Sequence, residues 1–184
     1  MNKHTPTIKT ARLILRPPIQ DDLASWSGFM ADEKATLFLG GAQPPTVAWR
    51  WMAMNAGSWV LKGFGMFSVI ERDTGRWIGR IGPWQPEGWP GLEIGYGLIS
   101  DVWGKGYGYE AAAASIDWAL DNLGWPQFIH TINPKNVASA ALARKLGSTN
   151  QGPGRLPAPL ENETIEIWGQ TAEAWRESKT LNPL

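Results

Sequence analysis

The stretch DVWGKGYGYEAAAA, Asp101 to Ala114, joins a glycine-rich run to an alanine-rich helical pattern. Gly104, Gly106 and Gly108 alternate with Lys105 and Tyr107. Backbone N–H groups at a helix start lack internal partners and carry the positive end of the dipole. Glycines let the main chain approach a bound group closely. The run therefore reads as a cradle for a phosphate or pyrophosphate, with Lys105 adding charge at its rim. It is not a P-loop, because Lys105 is followed by Gly106 rather than Ser or Thr. Nor is it the dinucleotide fingerprint, since it reads G-x-G-x-G without the later acidic residue of a βαβ unit. Taken alone, the run is also open to a plainer reading as a glycine turn.

The elements that must position this run alternate along the chain. RLILRP, Arg12 to Pro17, reads as a strand stopped by proline. IQDDLASWSGFMAD reads as a helix with acidic residues at its start, and PTVAWRWMAMNAGSWV as a second helix entered through Pro44 and Pro45. GMFSVIERDTGRWIGRIGPW is a hairpin pattern turning at Asp73-Thr74-Gly75. GLEIGYGLIS is the next strand, with Leu92, Ile94, Tyr96 and Leu98 on one face and Glu93, Gly95, Gly97 and Ile99 on the other. After the glycines, Ala112, Ile116, Ala119, Leu120 and Leu123 form an apolar stripe at helical spacing, and Gly124 is a natural stop. QFIHTIN is a further strand, Asn136 or a neighbour caps a helix running to Leu146 with Gly147 as its end, NQGPGRLPAPLENE reads as a loop, and TIEIWGQT as a terminal strand. The pattern predicts a single α+β domain over residues 1–184 with a mixed, mostly antiparallel central sheet flanked by helices.

Composition narrows the function classes. Charged residues are 18% and apolar residues 43% of the 184, the balance of a folded globular chain. The formal net charge is zero, which argues against a broad basic surface for nucleic acid. There is no cysteine, so disulfides, thiolate metal sites and thiol nucleophiles are excluded. No apolar run approaches a membrane span, and the N-terminal residues lack a signal-peptide core, so no membrane association and a cytoplasmic location are expected. Twelve tryptophans are mostly expected as core fillers, with some of Trp49, Trp51, Trp84 and Trp89, in loop-like or glycine- and proline-flanked sequence, as candidates for a pocket wall.

Four blocks carry a resemblance: TARLILRP, LEIGYGLISDVWGKGYGYEA, NPKNVASAALARKLG and IEIWGQTAEAW, in that order. Together they resemble the GNAT superfamily of acetyl-CoA-dependent N-acetyltransferases, within it the RimJ/RimL-type branch that acetylates ribosomal-protein N-termini. The resemblance implies the GNAT fold, acetyl-CoA as cosubstrate, no metal, an amine acceptor and direct attack in a ternary complex, and it leaves a homodimer open. At the loop, Gly106 and Gly108 match the family's small positions, and Trp103 stands where Arg or Gln is usual. By resemblance the amides of Gly104, Lys105, Gly106, Tyr107 and Gly108 bind the CoA pyrophosphate, the strand edge at Leu98 and Ile99 pairs with the pantetheine arm, and Asn136 hydrogen-bonds the cofactor. Two departures stand out: Ala143 replaces the tyrosine that protonates the leaving thiolate in many members, and Ser148 replaces a phenylalanine.

The implied chemistry needs a neutral amine, a polarised thioester and a proton for the CoA sulfur. At pH 7 an α-amine (pKa about 8) costs about 1 kcal/mol to deprotonate, and a lysine (about 10.4) about 4–5 kcal/mol. Glu93 matches the general-base glutamate of some members, and its other reading is a carboxylate on a solvated sheet face or in an ion pair. Ser139, three residues after Asn136, is placed to orient or relay the proton, or is a first-turn helix residue only. His130 reads as structural. The acceptor walls are expected from Leu39 to Trp59 and from Trp84 to Trp89, where Glu87 joins Glu93 as a negative group able to attract a cationic amine. Protein N-termini, small amines, amino acids and aminoglycosides all satisfy that chemistry. A non-catalytic acyl-CoA-binding or sensing domain and a nucleotide-binding module are the other classes the residues allow.

Overall fold

The computed structural model describes residues 6–181. In chain order the strands and helices are β1 (Ile8–Lys9), β2 (Leu13–Arg16), α1 (Leu23–Ala31), α2 (Glu33–Thr36), α3 (Pro45–Lys62), β3 (Phe67–Glu71), β4 (Trp77–Trp84), β5 (Glu93–Leu98), α4 (Tyr107–Leu123), β6 (Gln127–Ile132), α5 (Val137–Lys145), β7 (Thr149–Gly154), β8 (Ile165–Thr171) and α6 (Ala172–Leu181). Strand pairing is antiparallel for β1–β2, β2–β3, β3–β4, β6–β8 and β7–β8, and parallel for β5–β6. This is the expected α+β mixture. The chain forms two compact units, one running to Gly82 and including Tyr96–Ala114, the other made of Pro83–Gly95 and the residues from Ser115 onward. No helix among the described residues is long and apolar enough to cross a membrane.

In the first unit the hairpin turn falls at Asp73-Thr74-Gly75 as the sequence indicates. Gly75 has φ +69°, and Thr74 Oγ1 donates to Glu71 at 2.6 Å. Leu13 and Leu15 of β2 are fully buried while Ile14 and Arg16 are only partly so, the alternation of a strand with one core face. The core is built from both helices and β4: Trp26, Phe29 and Met30 of α1, Ala48 and Met52 of α3, and Trp77. Trp26 and Phe29 meet the Trp77 ring with centroids 5.8 and 5.9 Å apart. Burying a large apolar side chain such as Phe29 or Met30 contributes about 1.5–3 kcal/mol. The acidic start of α1 is used inward. Asp22 is 4% exposed and accepts from Arg16 at 2.8 and 2.7 Å, from the Ile19 amide and from Ser68 Oγ, which in turn receives the Trp77 indole N–H at 3.0 Å. Burial alone raises the Asp22 pKa, but these donors outweigh it and hold the carboxyl below its ordinary value.

The second unit is ordered around β6. Its six residues pair antiparallel with β8, from Gln127 opposite Thr171 to Ile132 opposite Glu166, and on the other side Glu93 pairs with Ile129 in parallel. Two expectations need correction here. The segment read as a loop from Asn150 begins as strand, because residues up to Gly154 pair with β8. Pro153 lacks an N–H and Gly152 has φ +105° beside a register shift, features of an edge strand that no alternation of apolar residues announces. The chain does not close on a strand, since α6 follows β8 directly, anchored by Trp175 Nε1 donating to Asp117 at 2.8 Å. Trp49 and Trp51 lie in α3, and Trp84, buried, in β4, as the element pattern indicates.

Candidate active site

The glycine run lies in the first unit, after β5 and a 3-10 turn at Ser100–Val102. Gly104 and Gly106 have φ of +76° and +84°, so both occupy left-handed backbone that favours glycine for local reasons alone. Helix α4 begins at Tyr107, so the expected loop divides: Gly104 to Gly106 form the turn, and Tyr107 and Gly108 are in the first helical turn. Their amides have no acceptor within the helix, and the dipole adds positive potential there.

Neighbours that the sequence reading missed fasten this turn. Arg12 Nη1 donates to the Lys105 carbonyl at 2.9 Å, and Arg12 Nε to Glu110 Oε2 at 2.7 Å. The Arg12 guanidinium also lies 4.4 Å from the centroid of the Tyr107 ring. The Tyr107 hydroxyl donates to Glu71 at 2.5 Å, a bond that pushes the phenol pKa up and makes Tyr107 a poor proton donor. At the strand end, the Ile99 amide donates to the Ile78 carbonyl at 3.0 Å and the Trp103 indole N–H to the Leu98 carbonyl at 3.0 Å. Trp103 itself is half exposed.

Glu93 lies in the second unit and is 6% exposed. Its carboxylate accepts from the Trp89 indole N–H and from the Thr131 hydroxyl, 3.2 and 3.1 Å from its two oxygens. A solvated sheet face is therefore not its setting. Trp89 comes from the segment between β4 and β5 and Thr131 from β6, so two elements orient one buried carboxylate. Neither partner was legible beforehand, because Thr131 meets Glu93 only through the β5–β6 pairing.

His130 is buried in the next position of β6, with Nδ1 2.7 Å from the Ile94 carbonyl and its ring against Phe128. Burial lowers its pKa from 6.5 to about 4. Between those values the unfolded chain takes up the proton and the folded chain does not. Stability contributed by neutral His130 is thus present above about 6.5 and lost as pH falls toward about 4. His130→Asn is expected to flatten that part of the dependence in urea melts across the range; an unchanged slope would assign the loss to another group.

Asn136 caps α5, its side-chain oxygen accepting the Ser139 amide at 3.0 Å. The sequence indicates this cap, and Ser139 falls in the first turn as expected. Ala143 is fully buried against Ile132 and Trp168, so that position offers no proton donor. A groove of about 440 Å³ is lined by Gly88, Arg155, Leu156, Pro157, Ala158 and Glu161.

Comparison with known proteins agrees with this arrangement. The family model described as acetyltransferase (GNAT) domain matches residues 12–149. The uncharacterized protein YkkB of Bacillus subtilis (strain 168) is 30% identical over 152 residues, covering 80% of this chain and 87% of that protein. The crystal structure of the acetyltransferase from Agrobacterium tumefaciens str. C58 is 29% identical with a TM-score of 0.80, covering 92% of this chain and 96% of that one. RimL, a ribosomal L7/L12 alpha-N-protein acetyltransferase solved in complex with coenzyme A, shares the fold at 16% identity with a TM-score of 0.74, covering 92% and 99%. A glycine turn leading into a long helix, a capped Asn-x-x-Ser helix and a mixed α+β fold are thus found in a chain that belongs to the GNAT acetyltransferase family and transfers an acetyl group to an amine.

Proposed function

We propose that the protein uses acetyl-CoA to acetylate a primary amine by direct attack, with Glu93 taking the amine proton. The observation that carries this reading is the buried Glu93 carboxylate held by Trp89 and Thr131. A general base must be fixed within reach of the proton it removes, and donors from two elements fix this one. RimL binds CoA and acts on a protein α-amine. An α-amine needs only about 1 kcal/mol to become neutral at pH 7, which one carboxylate can readily assist. We take a protein N-terminus or a small amine as acceptor. The groove lined by Gly88, with Arg155 and Glu161 on its walls, is our choice for where the acceptor lies.

The cofactor roles follow the same reading. The first-turn amides of α4 with Gly104, Lys105 and Gly106 hold the pyrophosphate, with Trp103 flanking them. The Leu98–Ile99 edge meets the pantetheine arm, and Asn136 donates through its amide nitrogen, its oxygen being used as the helix cap. Ser139 orients or relays the proton that meets the thiolate. Ser139→Ala is then expected to lower kcat by roughly 10–10²-fold, the weak end of acid–base effects, with little change in KM for acetyl-CoA. Asn136→Ala is expected to do the reverse and mainly raise KM. Steady-state kinetics separate the two, and full kcat in Ser139→Ala would leave that serine a helix residue only.

The test is thiol release from acetyl-CoA with peptide N-termini, polyamines, amino acids and aminoglycosides as acceptors. Release that depends on one amine class supports the reading. Tight CoA binding without release for any amine would instead favour a binding or sensing role.

A further inference from the structure

We infer that Arg12 is the positioning residue of the phosphate-binding turn: it holds Lys105 to Tyr107 in place and neutralises Glu110, so that the first amides of α4 can accept a CoA phosphate. This rests on the proposed role of the turn. Glu110 lies in the first turn of α4 and is a carboxylate beside the same amides that would receive an anion. Uncompensated, it would repel that anion at short range. Arg12 compensates it with Nε at 2.7 Å and its main-chain N–H at 2.8 Å, and Thr10 Oγ1 adds a third donor at 2.6 Å. Burial raises the Glu110 pKa, and these donors outweigh it, keeping the group ionised and paired.

The rest of the guanidinium addresses the turn itself. Nη1 binds the Lys105 carbonyl, the planar face covers Tyr107, and Nη2 would lie 3.3 Å from a Cβ placed on Gly106. One side chain thus binds Lys105 in the turn, Tyr107 at the start of α4 and the carboxylate behind them, and leaves little room for a side chain at Gly106. Only a flat, forked cation can do all of this, and a lysine ammonium cannot bond two acceptors edge-on while stacking. The contacts span 93 and 98 residues of sequence, so they tie the residue that leads into β2 to the start of α4 and require the folded unit.

Calorimetric titration with CoA and with pantetheine, which lacks the nucleotide phosphates, tests the inference on Arg12→Ala, Arg12→Lys and Gly106→Glu. Arg12→Ala is expected to weaken CoA binding by roughly 10–100-fold, the scale of lost charge-assisted hydrogen bonds, and Arg12→Lys by roughly tenfold. Pantetheine, titrated at millimolar concentration, should bind both Arg12 variants as it binds the parent. Parent affinity for CoA in either Arg12 variant, with Gly106→Glu defective, would overturn the role of Arg12 and leave the turn assignment standing. Equal losses for CoA and pantetheine would also overturn it, because they indicate general damage to the fold. If Gly106→Glu also binds CoA normally, the turn is not the phosphate site and the inference falls with it.

Discussion

Glu93→Gln is expected to lower kcat by roughly 10²–10⁴-fold while acetyl-CoA affinity barely changes. Glutamine keeps the shape of the side chain and can still accept from the Trp89 indole or the Thr131 hydroxyl, the partners that orient the carboxylate. What it loses is the ability to take a proton. The defect should shrink as pH rises past the pKa of the acceptor amine, because a neutral amine needs no base. A structural carboxylate behaves differently: its loss would lower the melting temperature and reduce activity by the same factor at every pH. The kcat–pH profile of the folded variant, measured with the acceptor found by thiol release, decides between the two. A pH-independent loss, or none, would remove Glu93 from the chemistry.

Gly106→Glu is expected to abolish CoA binding, an affinity loss of at least roughly 100-fold, while the protein remains folded. Gly106 has φ +84°, so any side chain there pays for a left-handed backbone, on the order of 1–2 kcal/mol. For a chain of this length that lowers the melting temperature by a few degrees without unfolding it. The new carboxylate would stand where the phosphates are held and repel them, and its Cβ would crowd Arg12 Nη2 at 3.3 Å. Calorimetry on the folded variant reads the effect directly, and unchanged affinity would contradict the site assignment.

Much of this architecture was legible because it is written in local patterns. The apolar stripe of α4 predicts its buried Ala112, Ile116, Ala119 and Leu120, and Gly124, with φ +66°, ends the helix pattern where expected. Asn136 suggests its capping role by its residue type, since a short side-chain oxygen at a helix start accepts a first-turn amide. The edge strand β7 was not legible, since glycine and proline suppress the alternation by which strands are recognised, and pairing with β8 decides its conformation. The setting of Glu93 is non-local in the same way. Its residue type suggested a base, but its burial and its Thr131 partner come from the pairing of β5 with β6. Arg12 looked like one more strand residue, and its bond to Glu110, 98 positions away, exists only in the folded unit.

The most direct test of the central claim is a single reaction with acetyl-CoA labelled in its acetyl group, followed by mass spectrometry of both acceptor and protein. The account predicts one labelled acetyl group on the acceptor amine, free CoA in equal amount, and no label on the protein, as direct attack requires. Label retained on the protein, or acetyl-CoA bound and left intact with every amine class, would contradict it.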